Sequence, residues 1–478
     1  MSHTCQRRVY MLDPQKLPPE TIAVTFAKTS RSPQTFREIA AELTDEKSAQ
    51  FHEKWVVGYG HSSVAEHAVL HIAVENVSRL AVEVLQANRL ASYTEKSTRY
   101  QQWDADSFYL PLEVRGNEYE SLYWDTCRAL FSTYQQMLPA VREVIARTFP
   151  QQSGESEPAW DRRIRSEYVD VCRYLLPAAS LANLGITINA RALEYALCKM
   201  LSHPLDEVRQ MGEEIKAVAQ AEVPTLVKYA CTLPYYQRVK ETFSRVWAHA
   251  PVQEMHADWC RLVACDTQGE LRVLAAALFR FSGQDFEQCM EIVERMTLSE
   301  QQRLAMALLG DIERHTIPLR ELEYLSYTFE LTLDQGAYYE LKRHRMMTQT
   351  PQSLTADLGY ALPRAVSEAG MEDLYTKAME QARQTTLRIA TVNPDAAAYV
   401  VPNGFNRRVL LTLNLRSADH LVALRSAANA HFSIRRVAQR MAEILQECSP
   451  LFGALLHRNP DESWQEIESR YFVHTAVK

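Results

Sequence analysis

The chain has 478 residues, of which 46% are hydrophobic and 23% are charged, values that are ordinary for a water-soluble protein of two or three domains. Its formal net charge of −7 argues against a general nucleic-acid-binding protein, since such proteins carry a clear basic excess. The sequence lacks an apolar run of the roughly 18 residues that span a bilayer, and its N-terminus lacks a signal peptide. The nine cysteines include no C-x-x-C pair, so we expect a cytoplasmic protein with reduced thiols.

Two segments begin with alternating apolar and polar residues and then continue with a helical pattern. The first is residues 66–77 (EHAVLHIAVENV), followed by SRLAVEVLQANRLAS, and the second is residues 323–333 (EYLSYTFELTL), followed by DQGAYYELKRHRMMT. Alternation with a period of two predicts a half-buried strand, and the pattern that follows predicts a helix. Each helix leads into a polar segment that ends at Ser97 or Ser353.

A second pair of similar segments lies farther along the chain. Residues 183–201 (NLGITINARALEYALCKML) and 407–425 (RRVLLTLNLRSADHLVALR) both predict a strand, an Asn-x-Arg turn and a helix. The turns carry Asn189 with Arg191, and Asn414 with Arg416. Asparagine is a good helix cap, but capping does not explain why an arginine follows two residues later in both turns.

These repeats predict an α/β (α+β) fold made of two tandem copies of one mixed sheet-plus-helices unit. We place the copies at residues 1–235 and 236–478, with a helical insertion near 116–165 in the first copy. Residues 270–281 (ELRVLAAALFRF) are predicted to form a strand of the second copy.

Three short charged motifs are candidates for ligand binding. The second half carries the consecutive triplet Arg343, His344 and Arg345. These side chains could surround a ligand at the helix end, or form a solvated surface. The first half alternates Glu95, Ser97 and Arg99. On an extended segment these would share one face, as a phosphate or base clamp or as a surface salt bridge.

The third motif, GHSSVAEH, contains His61, Ser63, Glu66 and His67. Its histidines lie six residues apart, which does not suit two metal ligands on one helix, so we predict no metal site. The chain also lacks a G-x-S-x-G elbow, a P-loop and a cysteine in a basic, histidine-flanked setting, and it therefore offers no visible catalytic nucleophile.

Found together and in this order, the motifs resemble the flavin-dependent thymidylate synthases. The family signature, RHR followed by seven residues and Ser, matches residues 343–353. The upstream family pattern is similar to residues 60–67 (GHSSVAEH), 77–79 (VSR) and 90–100 (LASYTEKSTRY). The resemblance covers most of residues 20–230 and, more loosely, 305–450.

This resemblance implies a mixed α/β unit that assembles as a tetramer, with FAD and dUMP held between subunits. The family reaction moves a one-carbon unit from methylenetetrahydrofolate to uracil C5 and reduces it through the flavin, without an enzymatic cysteine nucleophile. NADPH usually reduces the flavin.

The two halves depart from the family pattern in different places. Residues 87–89 (ANR) replace the RHR triplet in the first half, whereas Pro351 and Thr355 replace Glu95 and Arg99 in the second. The resemblance implies that these motifs face each other across a subunit interface, so their complementary losses predict a composite active site in which each half supplies what the other lacks.

Two further arginines follow the same division. Arg173 matches the family's substrate-phosphate arginine, and its second-half counterpart is Ala398. Arg425 matches the arginine that reaches the pyrimidine, and its first-half counterpart is Met200.

The resemblance assigns a role to each candidate residue. The predicted catalytic residues are Arg425 and Arg343. The predicted substrate-binding residues are Glu95, Ser97, Arg99, Arg173 and Arg425. The predicted FAD-binding residues are His61, Ser63, Glu66, Asn189, Arg191, Arg343, His344, Arg345, Asn414, Arg416 and His420.

The predicted function is FAD-dependent methylation of dUMP to dTMP by a homodimer that mimics the family tetramer, with no nucleic-acid or membrane partner. Two alternatives stay open. One is an FAD enzyme acting on another pyrimidine nucleotide, since Val84 and Glu340 stand where the family has glutamine-type neighbours of the signature. The other is a non-catalytic scaffold that binds a nucleotide or a partner.

Overall fold

A computed structural model describes residues 7–58, 62–99, 101–248, 257–313 and 315–477. Its helices are α1 (Pro19–Thr29), α2 (Phe36–Glu42), α3 (Asp45–Phe51), α4 (Arg79–Gln86), α5 (Glu120–Thr148), α6 (Glu157–Cys172), α7 (Ala190–Leu201), α8 (Asp206–Glu222), α9 (Pro234–Ala248), α10 (Gly269–Phe281), α11 (Phe286–Arg295), α12 (Leu298–Ala305), α13 (Gln335–Leu341), α14 (Arg364–Glu368), α15 (Glu372–Ala390), α16 (Pro394–Ala397), α17 (Leu415–Arg425), α18 (Phe432–Cys448) and α19 (Trp464–Tyr471). Its strands are β1 (Val69–Ser78), β2 (Ala91–Glu95), β3 (Leu181–Asn189), β4 (Cys260–Cys265), β5 (Ser326–Asp334), β6 (Thr348–Pro351), β7 (Tyr360–Pro363), β8 (Asn406–Asn414) and β9 (Phe472–Val477). The mixture of helices and small sheets confirms the predicted fold class.

The chain divides into two compact units. Unit 1 contains residues 1–96, 111–113 and 181–252, and unit 2 contains residues 97–110, 114–180 and 253–478. Both units are discontinuous in sequence, so they do not follow the order of the two repeats. The repeat boundary at residue 235 stays a prediction.

Unit 1 is built on an antiparallel sheet of three strands in the order β1-β3-β2. Its apolar face includes the buried side chains of Leu184, Ile186 and Ile188 on the central strand. Ser78 caps helix α4 by accepting a hydrogen bond from the Ala81 N–H at 3.0 Å. This cap fixes the point where the alternating strand pattern changes to the helical pattern.

Unit 2 contains a four-stranded antiparallel sheet in the order β4-β5-β8-β6 and a second sheet of β7 and β9. The larger sheet contributes Phe329, Leu331 and Leu411 to a buried core, which also includes Val437 and Met441 of α18. Residues 270–281, predicted as a strand, form helix α10 instead. Residues 273–277 of this helix are all buried, and apolar content by itself does not distinguish a buried strand from a buried helix.

The strand order supports the duplication, because β1, β3 and β2 of unit 1 correspond to β5, β8 and β6 of unit 2. Both predicted strands begin later than expected, at Val69 and Ser326, since short 3₁₀ helices occupy the residues before them. The equivalent strands β2 and β6 lie in segments that the sequence pattern identified only as polar.

Unit 2 also shows the twofold relation between the repeats. Pro177 and Pro402, which occupy equivalent positions in the two halves, face each other in an antiparallel bridge. The Ala178 N–H donates to the Val401 carbonyl at 3.0 Å, and the Asn403 N–H donates to the Leu176 carbonyl at 3.0 Å. The predicted insertion contains α5 and the beginning of α6, and α5 packs on α15 through hydroxyls of Thr126 and Thr385 at 2.8 Å.

Across the described residues, the helices include none that combines the length and apolarity needed to cross a membrane.

Candidate functional site

The first-half arginines of the predicted composite site lie in unit 2, on either side of Asp170. The Nε of Arg99 donates to both carboxylate oxygens of Asp170, at 3.0 and 2.9 Å, and its Nη2 lies 2.7 Å from the same group. The Nε of Arg173 lies 3.4 Å from Asp170, and its Nη1 donates to the Thr98 hydroxyl at 3.0 Å. The Arg173 side chain is only 2% exposed, yet its Nη2 has no hydrogen-bond partner among the described residues.

The second-half arginine Arg425 ends helix α17 and is held from two sides. Its Nη1 donates to Glu340 Oε2 at 2.8 Å, and its Nε donates to His344 Nε2 at 2.9 Å. Glu340 belongs to α13, and His344 follows that helix in the RHR triplet. These contacts fix the direction of the guanidinium and leave Nη2 without a hydrogen-bond partner in the described parts of the chain.

The two arginine groups lie close together within unit 2, since the charges of Arg173 and Arg99 both reach Glu340, the carboxylate that holds Arg425. A Cβ placed on Gly336, at the start of α13, would lie 3.8 Å from Arg173 Nη2. Arg99 Nη1 donates to the carbonyl of Asn429 at 3.2 Å, four residues after Arg425. A single chain therefore brings together residues that the two repeats supply separately.

The electrostatics of the cluster depend on two carboxylates among the guanidinium groups. Burial works against ionisation of Glu340, but four surrounding cations outweigh it, and the pKa of this carboxyl is lowered. The four cations are Arg343, Arg173, Arg425 and Arg99. Glu340 is therefore an anion near neutral pH.

His344 is a neutral hydrogen-bond acceptor in this cluster. Burial, followed by the charge of Arg425, lowers the pKa of His344 from 6.5 to about 3. Since Nε2 accepts from Arg425, the ring proton is carried by Nδ1. The exposed His420 ring lies 5.6 Å away, centroid to centroid, in an edge-on arrangement.

The other members of the two predicted motifs in unit 2 are Arg343, Arg345 and Ser97. The Arg343 side chain is 51% exposed and lies 3.9 Å from Glu340, while Arg345 is partly buried. The Ser97 hydroxyl accepts from the Arg99 N–H at 3.2 Å, and this contact belongs to a turn at residues 98–99.

The expectation that Glu95, Ser97 and Arg99 share one extended face is therefore wrong. Strand β2 ends at Glu95, which belongs to unit 1, while Ser97 and Arg99 belong to unit 2. The carboxylate of Glu95 is buried against Arg79 at 3.0 Å and accepts from the Gln86 amide at 3.0 Å. Within unit 1, its contacts are those of a structural ion pair.

Both Asn-x-Arg turns cap helices and form ion pairs. Asn189 accepts from the Ala192 N–H at 2.9 Å and caps α7, and Asn414 accepts from the Ser417 N–H at 2.8 Å and caps α17. Arg191 pairs with Glu66 in unit 1 at 2.5 Å, and Arg416 pairs with Glu323 in unit 2 at 2.8 Å. The repeated arginine thus has an equivalent carboxylate partner in each half.

The other two predicted cofactor residues of the first half are Ser63 and His61. Ser63 is exposed in a short 3₁₀ helix of unit 1. His61 lies outside the described residues.

Comparisons with known proteins agree with this duplicated arrangement. The sequence profile of the family described as "Thymidylate synthase complementing protein" matches residues 14–225 and 261–451. The chain belongs to this family. The profile matches once in each half, which confirms the tandem duplication inferred from the repeats.

Relatives of the chain fall into two groups by length. A UPF0159 protein of Chlamydia muridarum is 31% identical over 434 residues, which cover 87% of this chain and 82% of that protein. A UPF0159 protein of Thermoplasma acidophilum is 26% identical, over 87% of this chain and 89% of that protein. The flavin-dependent thymidylate synthase of Clostridium tetani is 28% identical over 213 residues, which are 44% of this chain and 82% of that protein.

The thymidylate synthase complementing family includes flavin-dependent enzymes, and the donors of the RHR segment fit such a cofactor. Arg343 presents a half-exposed guanidinium, which suits the pyrophosphate of FAD. The Nδ1–H of His344 is a further donor at the same helix end. These residues could therefore hold part of a flavin nucleotide.

The two carboxylates were not among the predicted site residues of this family member, although Glu340 was noted as a departure. Both carboxylates had a local sequence signal, because each lies three residues before an arginine with which it forms an ion pair. The pairs are Asp170 with Arg173 and Glu340 with Arg343. The same spacing is common on helix surfaces, so the sequence alone does not distinguish these pairs from solvated ones.

Proposed function

We propose that this protein is a flavin-dependent enzyme that acts on a pyrimidine nucleotide, with methylation of dUMP to dTMP as the first reaction to test. The observation that supports this proposal best is the meeting of Arg99, Arg173 and Arg425 in one unit. Each of these arginines survives in only one repeat, yet they face each other in the folded chain. If both repeats had simply lost their function, the arginines lost from one repeat would not be expected to be those retained in the other.

Arg425 is the best candidate for the residue that contacts the reacting ring. Glu340 and His344 hold its guanidinium in one orientation, and its Nη2 could donate to a uracil carbonyl. A fixed donor stabilises negative charge that develops on the ring, because it needs no reorientation during the reaction. His344 would act as a positioning residue through its neutral Nε2.

Arg173 and Arg343 are candidates for binding anionic parts of the ligands. Arg173 carries a buried Nη2 that lacks a partner among the described residues, and a bound oxygen would satisfy it. Arg343 is exposed and could bind either the substrate or the cofactor pyrophosphate.

The flavin, if bound as FAD, would supply the redox step, with NADPH and methylenetetrahydrofolate as co-substrates. The protein's contribution is to bind and align the ligands. Candidates for holding FAD are Arg343, His344, Arg345, Asn414, Arg416 and His420 in unit 2. The unit 1 residues Ser63, Glu66, Asn189 and Arg191 stay predictions, as does His61.

The test is the visible spectrum of the purified protein after incubation with FAD, titrated with dUMP. We expect bound flavin whose absorption bands shift on addition of dUMP, because the nucleotide would stack near the ring. A protein that retains no flavin would contradict the proposal and favour a non-catalytic scaffold.

A second candidate function, an FAD enzyme with a different pyrimidine substrate, is favoured by Glu340. This anion accepts a hydrogen bond from Arg425 and lies near Arg343, so it changes the charge beside the position proposed for the pyrimidine ring. Bound flavin that does not respond to dUMP, but does respond to another pyrimidine, would support this candidate.

A further inference from the structure

Gln349, on strand β6, holds the chain where helix α13 ends and the RHR triplet begins. Its Nε2 donates to the carbonyl of His344 at 3.0 Å and to the carbonyl of Leu341 at 3.4 Å. Leu341 is the last residue of α13, and His344 is the central residue of the triplet. Carbonyl groups at the end of a helix lack partners within the helix, and a side-chain amide carries two N–H donors that can satisfy two of them.

The first repeat makes the same connection with a different side chain. Tyr93, on β2, is the fourth residue after the ANR triplet, as Gln349 is the fourth residue after RHR. The Tyr93 hydroxyl donates to the carbonyl of Leu85 at 3.0 Å and to that of Asn88 at 3.1 Å. These two acceptors are equivalent by position to the two acceptors in the second repeat. An amide and a phenol therefore hold the same two carbonyl positions, so the contact does not depend on one type of donor.

Gln349 is connected to the candidate site through His344. The His344 N–H donates to the Leu341 carbonyl at 3.0 Å, and the Met347 N–H donates to the His344 carbonyl at 3.5 Å. Both carbonyls held by Gln349 thus also accept from the backbone of the triplet segment. The His344 ring accepts from Arg425 Nε at 2.9 Å. A shift of the His344 backbone would therefore move the acceptor that orients Arg425.

We propose that Gln349 is a positioning residue for the flavin nucleotide, because its amide fixes the backbone from which Arg343 and His344 reach the cofactor. This inference rests on the proposed function, since it takes the RHR segment to bind the flavin. Gln349 acts through the backbone of the triplet and does not itself contact a ligand. A preorganised segment binds more tightly, because less conformational freedom is lost when the ligand arrives.

The test compares three variants of the full chain. Gln349→Met removes both donors and keeps a side chain of similar length. Gln349→Tyr introduces the side chain that the first repeat uses for the same contact. Tyr93→Phe is the matched control, because it removes the equivalent donor beside the ANR triplet, which keeps only the last arginine of the signature.

The measurements are the dissociation constant of FAD by isothermal titration calorimetry and the hydrogen exchange of backbone amides by mass spectrometry. Gln349→Met should speed exchange in peptides covering residues 342–348 by about tenfold and weaken FAD binding by about tenfold. Gln349→Tyr should restore both values to within about threefold of the natural protein, since its hydroxyl supplies a donor to the same carbonyls. Tyr93→Phe should speed exchange around residues 86–91 and change FAD binding by less than about threefold.

Three results would overturn the inference. Unchanged exchange around the RHR triplet in Gln349→Met would show that the amide does not hold this segment. Faster exchange with unchanged FAD affinity would make the contact a structural one only. An equal loss of FAD affinity in Gln349→Met and Tyr93→Phe would show general destabilisation instead of positioning.

The design separates this inference from the proposed function. A natural protein that binds no FAD would reject the proposed function and this role with it, whereas failure of the inference alone leaves FAD bound by the natural protein. If Gln349→Tyr does not fold, the comparison of Gln349→Met with Tyr93→Phe still decides.

Discussion

Substitution of Asp170 by asparagine is expected to destabilise the protein far more than the same change at Asp161. Both aspartates lie on helix α6, and both pair with two arginines. Asp170 faces Arg99 and Arg173, whose side chains are 15% and 2% exposed. The arginine partners of Asp161 are 30% and 41% exposed. The two sites therefore differ chiefly in burial.

The expected magnitudes follow from this difference. Removal of one partner from a buried ion pair leaves uncompensated charge and costs about 3–5 kcal/mol. We expect the lower end, about 3 kcal/mol, for Asp170→Asn because the asparagine oxygen can still accept from Arg99. A solvent-screened pair contributes about 0–1 kcal/mol, which is the range expected for Asp161→Asn.

Differential scanning calorimetry of the full chain at pH 7 would measure the effect. At roughly 2–4 °C per kcal/mol, Asp170→Asn should lower the unfolding temperature of the affected transition by about 6–12 °C, and Asp161→Asn by about 4 °C or less. Equal shifts in unfolding temperature for the two variants would refute this reasoning. They would mean that the burial of Arg99 and Arg173 does not determine the energy of their ion pairs with Asp170.

Three other outcomes are expected. Arg425→Ala should retain FAD but lower dUMP-dependent turnover by about 10²-fold or more, as loss of an electrostatic stabiliser does, and unchanged turnover would exclude that role. Because the pKa of His344 is about 3 in the folded protein and 6.5 ordinarily, the unfolded chain takes up a proton that the folded chain does not as the pH falls through this window. The natural protein should therefore lose more stability than His344→Gln between pH 7 and pH 5 in urea denaturation, and an equal loss would show that His344 does not titrate in this way. Finally, light scattering should find a homodimer, since each chain carries two copies of the repeat, and a tetramer would contradict this prediction.

The comparison of the two halves was the most informative part of the sequence. Arg173 has Ala398 as its counterpart and Arg425 has Met200, so these identities, read together with the family resemblance, predicted a composite site. The helix caps Asn189 and Asn414 also followed from local chemistry, because an asparagine before a helical pattern satisfies backbone groups of its own first turn.

Local patterns were less reliable where chain direction or helix packing decides the outcome. The alternation of Glu95, Ser97 and Arg99 predicts a shared face only if the chain stays extended, but β2 ends at Glu95 and a turn follows at residues 98–99. Residues 270–281 are apolar enough for a buried strand or a buried helix, and packing of α10 in unit 2 selects the helix.

The sequence by itself determined the duplication, the fold class and the identity of the arginines that each half retains, because these depend on residue order and on local periodicity. Only the tertiary structure decided that Arg99, Arg173 and Arg425 meet within one chain and that Asp170 and Glu340 lie between them. The physical reason is that the charge of a site depends on distances between residues far apart in sequence. An acid three residues before an arginine forms a weak surface pair when both are solvated, whereas breaking such a pair is costly when both are buried, as Asp170 and Arg173 are.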